Sequence, residues 1–135
     1  MDTEATRTLV KQFLAARSAG DLAGITAALA DDAVWVLPQS SSFGPFEGRD
    51  AVAKALGGGV SGTLFDPATI RRDIHKMVVE GDTAMVQQRL SATTLKGAEY
   101  VNEYCWVYTC RDGKIARLEE YADTLHAGRV FGTVS

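Results

Sequence analysis

The chain has 135 residues and a formal net charge of -3, with 46% hydrophobic and 23% charged residues. This composition predicts one folded domain over residues 1–135, and the acidic balance without any basic run disfavours binding to nucleic acid. No stretch approaches the roughly 18 apolar residues of a membrane span, and no basic segment leads into an apolar one at the N-terminus, so we expect no membrane partner and a cytoplasmic protein.

The first half of the chain carries helical signals around one apolar strand. Leu9, Val10, Phe13 and Leu14 recur at helical spacing, and Gly20 is placed to end that helix. Pro38 ends the strand that follows. The predicted elements are a helix over 3–19, a second helix over 22–30, a strand over 33–38 and a short helix over 49–56.

The second half of the chain alternates strand-like runs with short turns that contain glycine. Connections this short join antiparallel neighbours, because a parallel crossover needs about a dozen residues or more. The last stretch, 124–135, is typical of a short helix or a loose tail. The four predicted strands of this meander are 68–80, 83–95, 98–109 and 114–123.

The order of these elements predicts an α+β fold. We expect a curved antiparallel sheet in the shape of a cone, with the N-terminal helices packed on its concave face, as in a cystatin-like α+β barrel. Its interior would be apolar, with Arg89 and Asp123 pointing into it. Because the long strands would otherwise leave an apolar outer face and exposed edges, we also expect a homodimer formed by two sheets stacked back to back.

Several segments resemble one known family. They read D-D-A-V-W-V-L-P, F-E-G-R-D-A-V, I-H-K-M-V-V-E-G-D and N-E-Y-C-W-V-Y-T-C-R-D-G-K-I-A-R-L-E-E-Y-A-D-T. Together they resemble the SnoaL-like branch of the nuclear-transport-factor-2-like superfamily, over about residues 5–130. That superfamily also holds ketosteroid isomerase, limonene-epoxide hydrolase and polyketide cyclases, so the resemblance implies the fold more closely than the reaction.

The resemblance also identifies positions where related enzymes carry catalytic groups. The base of ketosteroid isomerase corresponds to Leu37, and a second family Asp corresponds to Cys105 or Trp106, so that chemistry is not expected. Limonene-epoxide hydrolase matches better, through Arg89 and Asp123. Its other Asp is replaced by Ser91, whose hydroxyl can orient water but cannot act as a base near pH 7.

Three residues are candidates for catalysis. Asp123 would be a general acid or base with Arg89 as its electrostatic partner, although the same pair could be an ion pair that only ties two strands together. His75 is a candidate base near neutral pH, or a structural residue of its strand.

The remaining candidates would bind substrate. Two-residue periodicity places Gln87, Arg89 and Ser91 on one strand face, which is either pocket lining or a solvated outer face. It also places Asn102, Tyr104 and Trp106 together, as pocket donors and walls or as a dimer face, and one β-bulge would reverse the assignment. Trp35 either packs in the core or shapes the pocket.

These expectations favour a cofactor-independent enzyme that uses acid–base chemistry on a small hydrophobic molecule. Epoxide opening, cyclisation, dehydration and isomerisation are the reactions considered. No cluster of His, Cys or Asp has metal-ligand spacing, so we expect neither a metal nor an organic cofactor. The alternative is a non-catalytic module for ligand binding or dimerisation, which the replacement of family bases at Leu37 and Ser91 favours.

Overall fold

The computed structural model describes residues 1–133. It confirms the α+β class: helices pack on one face of a six-stranded sheet. Helical turns at Ala55–Gly59, Ser61–Thr63 and Pro67–Thr69 connect the two halves. The named elements are α1 (Thr3–Ser18), α2 (Leu22–Ala28), β1 (Leu29–Val36), β2 (Phe46–Glu47), α3 (Arg49–Lys54), β3 (Arg71–Glu80), β4 (Thr83–Thr93), β5 (Glu99–Arg111), β6 (Lys114–Ala122) and α4 (Thr124–Phe131).

The four-stranded meander is present as predicted, but the whole sheet is mixed rather than antiparallel. Its strand order is β2-β1-β6-β5-β4-β3, and β1 runs parallel to β6. Turn signals between adjacent strands carry no information about this pairing, because β1 and β6 are far apart in the chain. The sheet is open, with β2 and β3 at its edges. The predicted tail over 124–135 forms α4 as far as Phe131, and residues 134–135 lie outside the described range.

Helix α1 begins at a side-chain cap and carries one buried face. The Asp2 carboxylate accepts a hydrogen bond from the Ala5 amide at 2.8 Å, which satisfies a free N–H of the first turn. Val10, Phe13 and Leu14 are buried against the sheet. Arg17 lies three positions after Leu14 and four after Phe13, so helical spacing places it on the same inward side.

The second helix is shorter than predicted. It ends at Ala28, and Leu29 already has extended backbone angles of -95° and 141°. The strand β1 therefore begins at Leu29 rather than at residue 33. Leu29 is fully buried, so its place in the core and not its helix propensity decides the boundary.

Alternation of buried and more exposed residues along β4 and β5 defines the inner face of the sheet. In β4, Ala84, Val86, Gln88 and Leu90 are buried, while the residues between them face outward or are partly exposed. The buried positions of β5 on this face include Tyr100, Asn102, Trp106 and Tyr108. The inner face therefore contains the aromatic row of β5, and the polar row of β4 that begins at Gln87 lies on the other side.

Two apolar clusters cover this inner face. The larger one joins the helices α1, α2 and α3 to the sheet and includes Phe13, Trp35 and Trp106. The smaller one includes Phe65 and Tyr100 and packs under α4. Tyr104 contacts both clusters, so it marks the place where they meet.

Within residues 1–133, no helix has both the length and the apolar character needed to cross a membrane.

Candidate active site

A cavity of about 390 Å³ lies between the helices and the inner face of the sheet. Both apolar clusters contribute to its wall, so it occupies their junction. Its apolar wall includes Trp35, Leu37, Phe43, Phe65, Leu90, Trp106 and Phe131. The ionisable and amide side chains that line it are Arg17, Arg72, Gln88, Tyr104 and Glu120.

Glu120 provides the carboxyl group of this cavity. Leu118 is fully buried, and two-residue alternation along β6 turns Glu120 to the same side. Burial raises the pKa of the Glu120 carboxyl to about 7, and the charge on Arg17 opposes that rise. No salt bridge to Glu120 is formed by the described residues. At neutral pH the carboxyl is therefore poised between its two protonation states, as a group that both takes and returns a proton must be.

Arg17 lies at the cavity wall with its guanidinium over an indole ring. Its Cζ atom is 4.7 Å from the centre of the Trp106 ring, a cation–π contact. Its Nε and Nη1 atoms are buried and have no hydrogen-bond partner among the described residues. Desolvation lowers the pKa of this guanidinium, yet an arginine side chain stays charged at physiological pH. A buried cation with unpaired donors thus faces the cavity.

A second guanidinium, that of Arg72 on β3, lines the same cavity. Burial and, to a smaller extent, the positive charge on Arg17 lower the pKa of the Arg72 guanidinium to about 9. Two like charges in one apolar space repel each other, and each is costly to bury without a counter-ion. The cavity is therefore electropositive at neutral pH.

Tyr104 presents its hydroxyl at the cavity through a short hydrogen-bonded chain. The Asn102 amide nitrogen donates to the Tyr100 hydroxyl at 2.7 Å and to the Asp123 carbonyl at 3.0 Å. The Tyr100 and Tyr104 hydroxyl oxygens are 2.6 Å apart. Since Tyr100 is fully buried, its own proton is satisfied when it is donated to Tyr104. The Tyr104 proton is then free to be donated into the cavity.

The phenol of Tyr104 remains a donor rather than a base. Burial raises its pKa strongly, and the nearby Tyr100 raises it further. Two further donors lie in the cavity wall: the indole Nε1 atoms of Trp35 and Trp106 are buried and have no partner among the described residues. The cavity therefore contains many hydrogen-bond donors and a single carboxyl.

The structure places the predicted catalytic pair, Arg89 and Asp123, apart. Arg89 lies on the outer face, where its Nε donates to the Glu103 carboxylate at 2.7 Å, and its side chain is 51% exposed. Hydrogen bonding to Arg89 lowers the pKa of Glu103. The alternation of β4 explains the difference, because Arg89 falls between Gln88 and Leu90, which both face inward. Of the two alternatives predicted for this polar row, pocket lining and a solvated outer face, the structure shows the outer face for Arg89.

Asp123 has a local structural contact. It is the N-cap of α4, and its carboxylate accepts a hydrogen bond from the His126 amide at 3.0 Å. Its side chain is exposed, while Ala122 and Thr124 on either side line the cavity. The expected ion pair with Arg89 is absent from the described residues. No observation addresses a catalytic role for Asp123, and that role stays a prediction.

His75 also lies on the outer face. A β-bulge shifts the pairing of β3 with β4 between Ile74 and Lys76, so alternation cannot be counted through His75. Its Nε2 atom is 3.0 Å from a Glu103 carboxylate oxygen. His75, Glu103 and Arg89 therefore form one surface cluster, and none of the three lines the cavity.

The predicted substrate-binding residues divide between the two faces. Trp35, Tyr104 and Trp106 line the cavity. Asn102 is 4% exposed, and its amide nitrogen donates a hydrogen bond to the Tyr100 hydroxyl. Gln87 is exposed and Ser91 partly exposed on the outer side of β4.

Four of the five ionisable and amide side chains that line the cavity are missing from the sequence-based candidates: Arg17, Arg72, Gln88 and Glu120. Signals for two of them were present. The apolar stripe of α1 continues through Arg17, and the two-residue period of β6 runs from Leu118 to Glu120. Arg72 precedes the bulge in β3, so the alternation of that strand gave no consistent face.

Among residues 1–133, no group of three or more His, Cys, Asp or Glu side chains is arranged to hold a metal ion.

Comparison with known proteins gives a family match over most of the chain. The model of the SnoaL-like domain matches residues 10–118. No curated protein matches the sequence. Among solved structures, TerC co-crystallised with polyporic acid is similar at 22% identity over 95% of this chain and 98% of its own, with a TM-score of 0.81.

Two further solved structures have the same fold. An LEH-like epoxide hydrolase from M. tuberculosis is 21% identical over 97% of this chain and 92% of its own, with a TM-score of 0.73. A protein from Jannaschia sp. CCS1, described as a SnoaL-like polyketide cyclase, is 14% identical over 98% of this chain and 95% of its own, with a TM-score of 0.81. At these identities the likeness shows the fold alone.

Proposed function

We propose, since the chain belongs to the SnoaL-like domain family, that it is a cofactor-independent enzyme that transfers protons on a small conjugated carbonyl compound. Glu120 is the general base, and the donors of the cavity stabilise the oxyanion that forms. This proposal keeps the acid–base chemistry expected from the sequence and assigns it to Glu120 instead of Asp123.

One observation carries the proposal: a carboxyl group lines an apolar cavity and has a pKa of about 7. A base is most effective when its pKa lies near the working pH, because it is then available in its ionised form and still binds a proton strongly. Carboxyls with such raised pKa values are concentrated at functional sites.

The proposed step balances within the cavity. The Glu120 carboxylate takes a proton from the carbon next to a carbonyl group, and the C–H bonding electrons form a carbon–carbon double bond. The carbonyl π electrons move to oxygen, where the proton of Tyr104 and the cation of Arg17 stabilise the negative charge. Glu120 then returns the proton to another carbon, for an isomerisation, or to a leaving hydroxyl, for a dehydration.

Relatives of the same fold support this class of chemistry in general terms. One is described as a SnoaL-like polyketide cyclase and another as an LEH-like epoxide hydrolase. Another, TerC, was co-crystallised with polyporic acid. The epoxide hydrolysis considered from the sequence receives less support from this cavity, because its polar residues offer one carboxyl rather than two.

Deuterium exchange tests the proposal without knowledge of the natural substrate. The protein is incubated in D2O with 2-acetylnaphthalene and 6-acetyl-2-naphthoate, and uptake at the methyl group next to the carbonyl is followed by NMR. We expect faster exchange than in buffer for at least one compound, and loss of that acceleration in Glu120→Gln. Exchange at the buffer rate for both compounds would favour the rival assignment, a binding module that leaves its ligand unchanged.

A homodimer is proposed separately, from the outer face of the sheet. Exposed apolar side chains lie there on four neighbouring strands, β3 to β6, and a contiguous exposed apolar patch of this kind marks an interaction surface. The four largest are Val78, Met85, Val101 and Tyr121, which are 62%, 49%, 49% and 54% exposed. A second copy of the chain, stacked back to back, would cover them.

Sedimentation measures this association. We expect a dimer at micromolar concentration and a monomer after Met85→Lys, because the new charge would be buried in the interface. Leu95→Lys is the control, since Leu95 is 61% exposed in the turn between β4 and β5. A monomeric wild-type protein would contradict the proposal.

A further inference from the structure

The buried polar side-chain atoms that line the cavity without a hydrogen-bond partner among the described residues are all donors. The guanidinium groups of Arg17 and Arg72 donate hydrogen bonds and cannot accept them. The same is true of the indole nitrogens of Trp35 and Trp106. Of these groups, Arg17 Nε, Arg17 Nη1 and both indole nitrogens are buried and unpartnered among the described residues. Unpaired buried donors are costly, so four in one place indicate that the site is built for an acceptor brought by the ligand.

The charges of the cavity indicate the same kind of ligand. Two guanidinium groups line it against one carboxyl, Glu120, and no salt bridge within residues 1–133 involves either guanidinium. A full positive charge or more is therefore left uncompensated. An anion bound between Arg17 and Arg72 would supply the missing counter-charge and accept hydrogen bonds from both.

The walls restrict the shape of that anion. The rings of Trp35 and Trp106 are 5.6 Å apart between centroids and 33° from parallel, and the rings of Phe65 and Phe131 also line the cavity. A flat conjugated skeleton makes extensive contact with such surfaces. A flexible polar skeleton would leave these apolar walls poorly covered.

We infer that the ligand of this cavity is a small planar carboxylate, aromatic or conjugated, whose carboxylate group lies between Arg17 and Arg72. The inference deepens the proposed function, since it names the substrate class for the same cavity. The ring would lie against Trp35 and Trp106, with its reacting carbon toward Glu120.

Paired probes of equal shape test the inference by calorimetry at pH 8. The compounds are 2-naphthoate and its neutral counterpart 2-naphthamide. We expect the carboxylate to bind at least about tenfold more tightly, because charge-assisted hydrogen bonds to a guanidinium exceed neutral ones by that order. Equal affinity for the two compounds would overturn the inference.

Single substitutions identify the groups responsible. Arg17→Gln and Arg72→Gln are each expected to remove most of the preference for the carboxylate. Arg71→Gln is the matched control, because Arg71 is exposed and pairs with Asp73. If Arg72→Gln fails to fold, Arg72→Lys keeps the charge and is expected to keep part of the preference. An unchanged preference in both Arg17→Gln and Arg72→Gln would also overturn the inference.

The Glu120→Gln variant separates this inference from the proposed function. It is expected to bind 2-naphthoate at least as tightly as the wild type, because a negative charge has been removed, while it loses the acceleration of exchange. Deuterium exchange at the wild-type rate in Glu120→Gln, together with loss of the preference for 2-naphthoate in Arg72→Gln, would refute the assigned base and support the ligand class. The reverse pattern would keep the base and remove the ligand class.

Discussion

Replacing Glu120 by Gln is expected to lower the rate of catalysed proton exchange by about 10²–10⁴-fold, because removal of a positioned general base has effects of that size. Gln keeps the shape of the side chain and loses only the ability to accept a proton. The measurement is kcat/KM for deuterium uptake at the methyl group of the aryl ketone that the wild type exchanges fastest.

The wild-type pH profile is part of the same prediction. A base works in its ionised form, so kcat/KM should rise with pH and reach half of its maximum near pH 7, the pKa of Glu120. Glu119→Gln is the control: the neighbouring side chain binds Arg117 and Tyr121 and does not line the cavity. A Glu120→Gln variant with wild-type activity would remove Glu120 from the mechanism.

The second large effect is a pH dependence of stability that comes from Glu120, and Glu120→Gln should remove this dependence. The carboxyl has its ordinary pKa of 4.5 in the unfolded chain and a pKa of about 7 in the folded one. Between these pH values the folded protein holds a proton that the unfolded chain has released. The contribution of Glu120 to the wild-type free energy of unfolding therefore falls as the pH rises through this window, by roughly 3 kcal/mol for a shift of this size.

The Gln side chain does not titrate, so it contributes no pH dependence to the free energy of unfolding. Relative to the wild type the Gln variant should gain about 3 kcal/mol of unfolding free energy between pH 4 and pH 8, since all other groups titrate in both proteins alike. Urea denaturation at the two pH values gives the difference directly. Glu119→Gln should follow the wild type at both pH values, and a Glu120→Gln difference that stays constant with pH would contradict the buried, poised carboxyl.

Much of the fold could be predicted because its signals are local. The glycine turns between the last four strands define hairpins, and Asp2 and Asp21 cap their helices through their own side chains. The pairing of β1 with β6 could not be predicted this way. It depends on contacts between residues that are far apart in the chain, such as Trp35 opposite Leu118.

The site was harder to predict because inward and outward faces differ by a single residue. Gln87 and Arg89 were considered for the pocket, yet Gln88 between them is the residue that lines it. The bulge near His75 reverses the count along β3. A clearly apolar residue indicates which face of a strand is buried. Leu118 does this for β6, so the inward direction of Glu120 could be predicted from the sequence.

The ordinary reading of polar side chains also obscured the site. Arg17 sits in a helix whose last turn favours a basic residue near the C-terminus. Its burial over Trp106 depends on how α1 packs on the sheet, which no local pattern records. The carboxylate of Asp123, a catalytic candidate from the sequence, caps α4 in the structure.

The measurement that tests this account most directly is an NMR titration of the Glu120 carboxyl. Its carbon resonance in protein with 13C-labelled glutamate is assigned by comparison with Glu120→Gln, and its shift is followed from pH 3 to pH 9. The account predicts a midpoint near 7, whereas a midpoint near the ordinary value of 4.5 would contradict it.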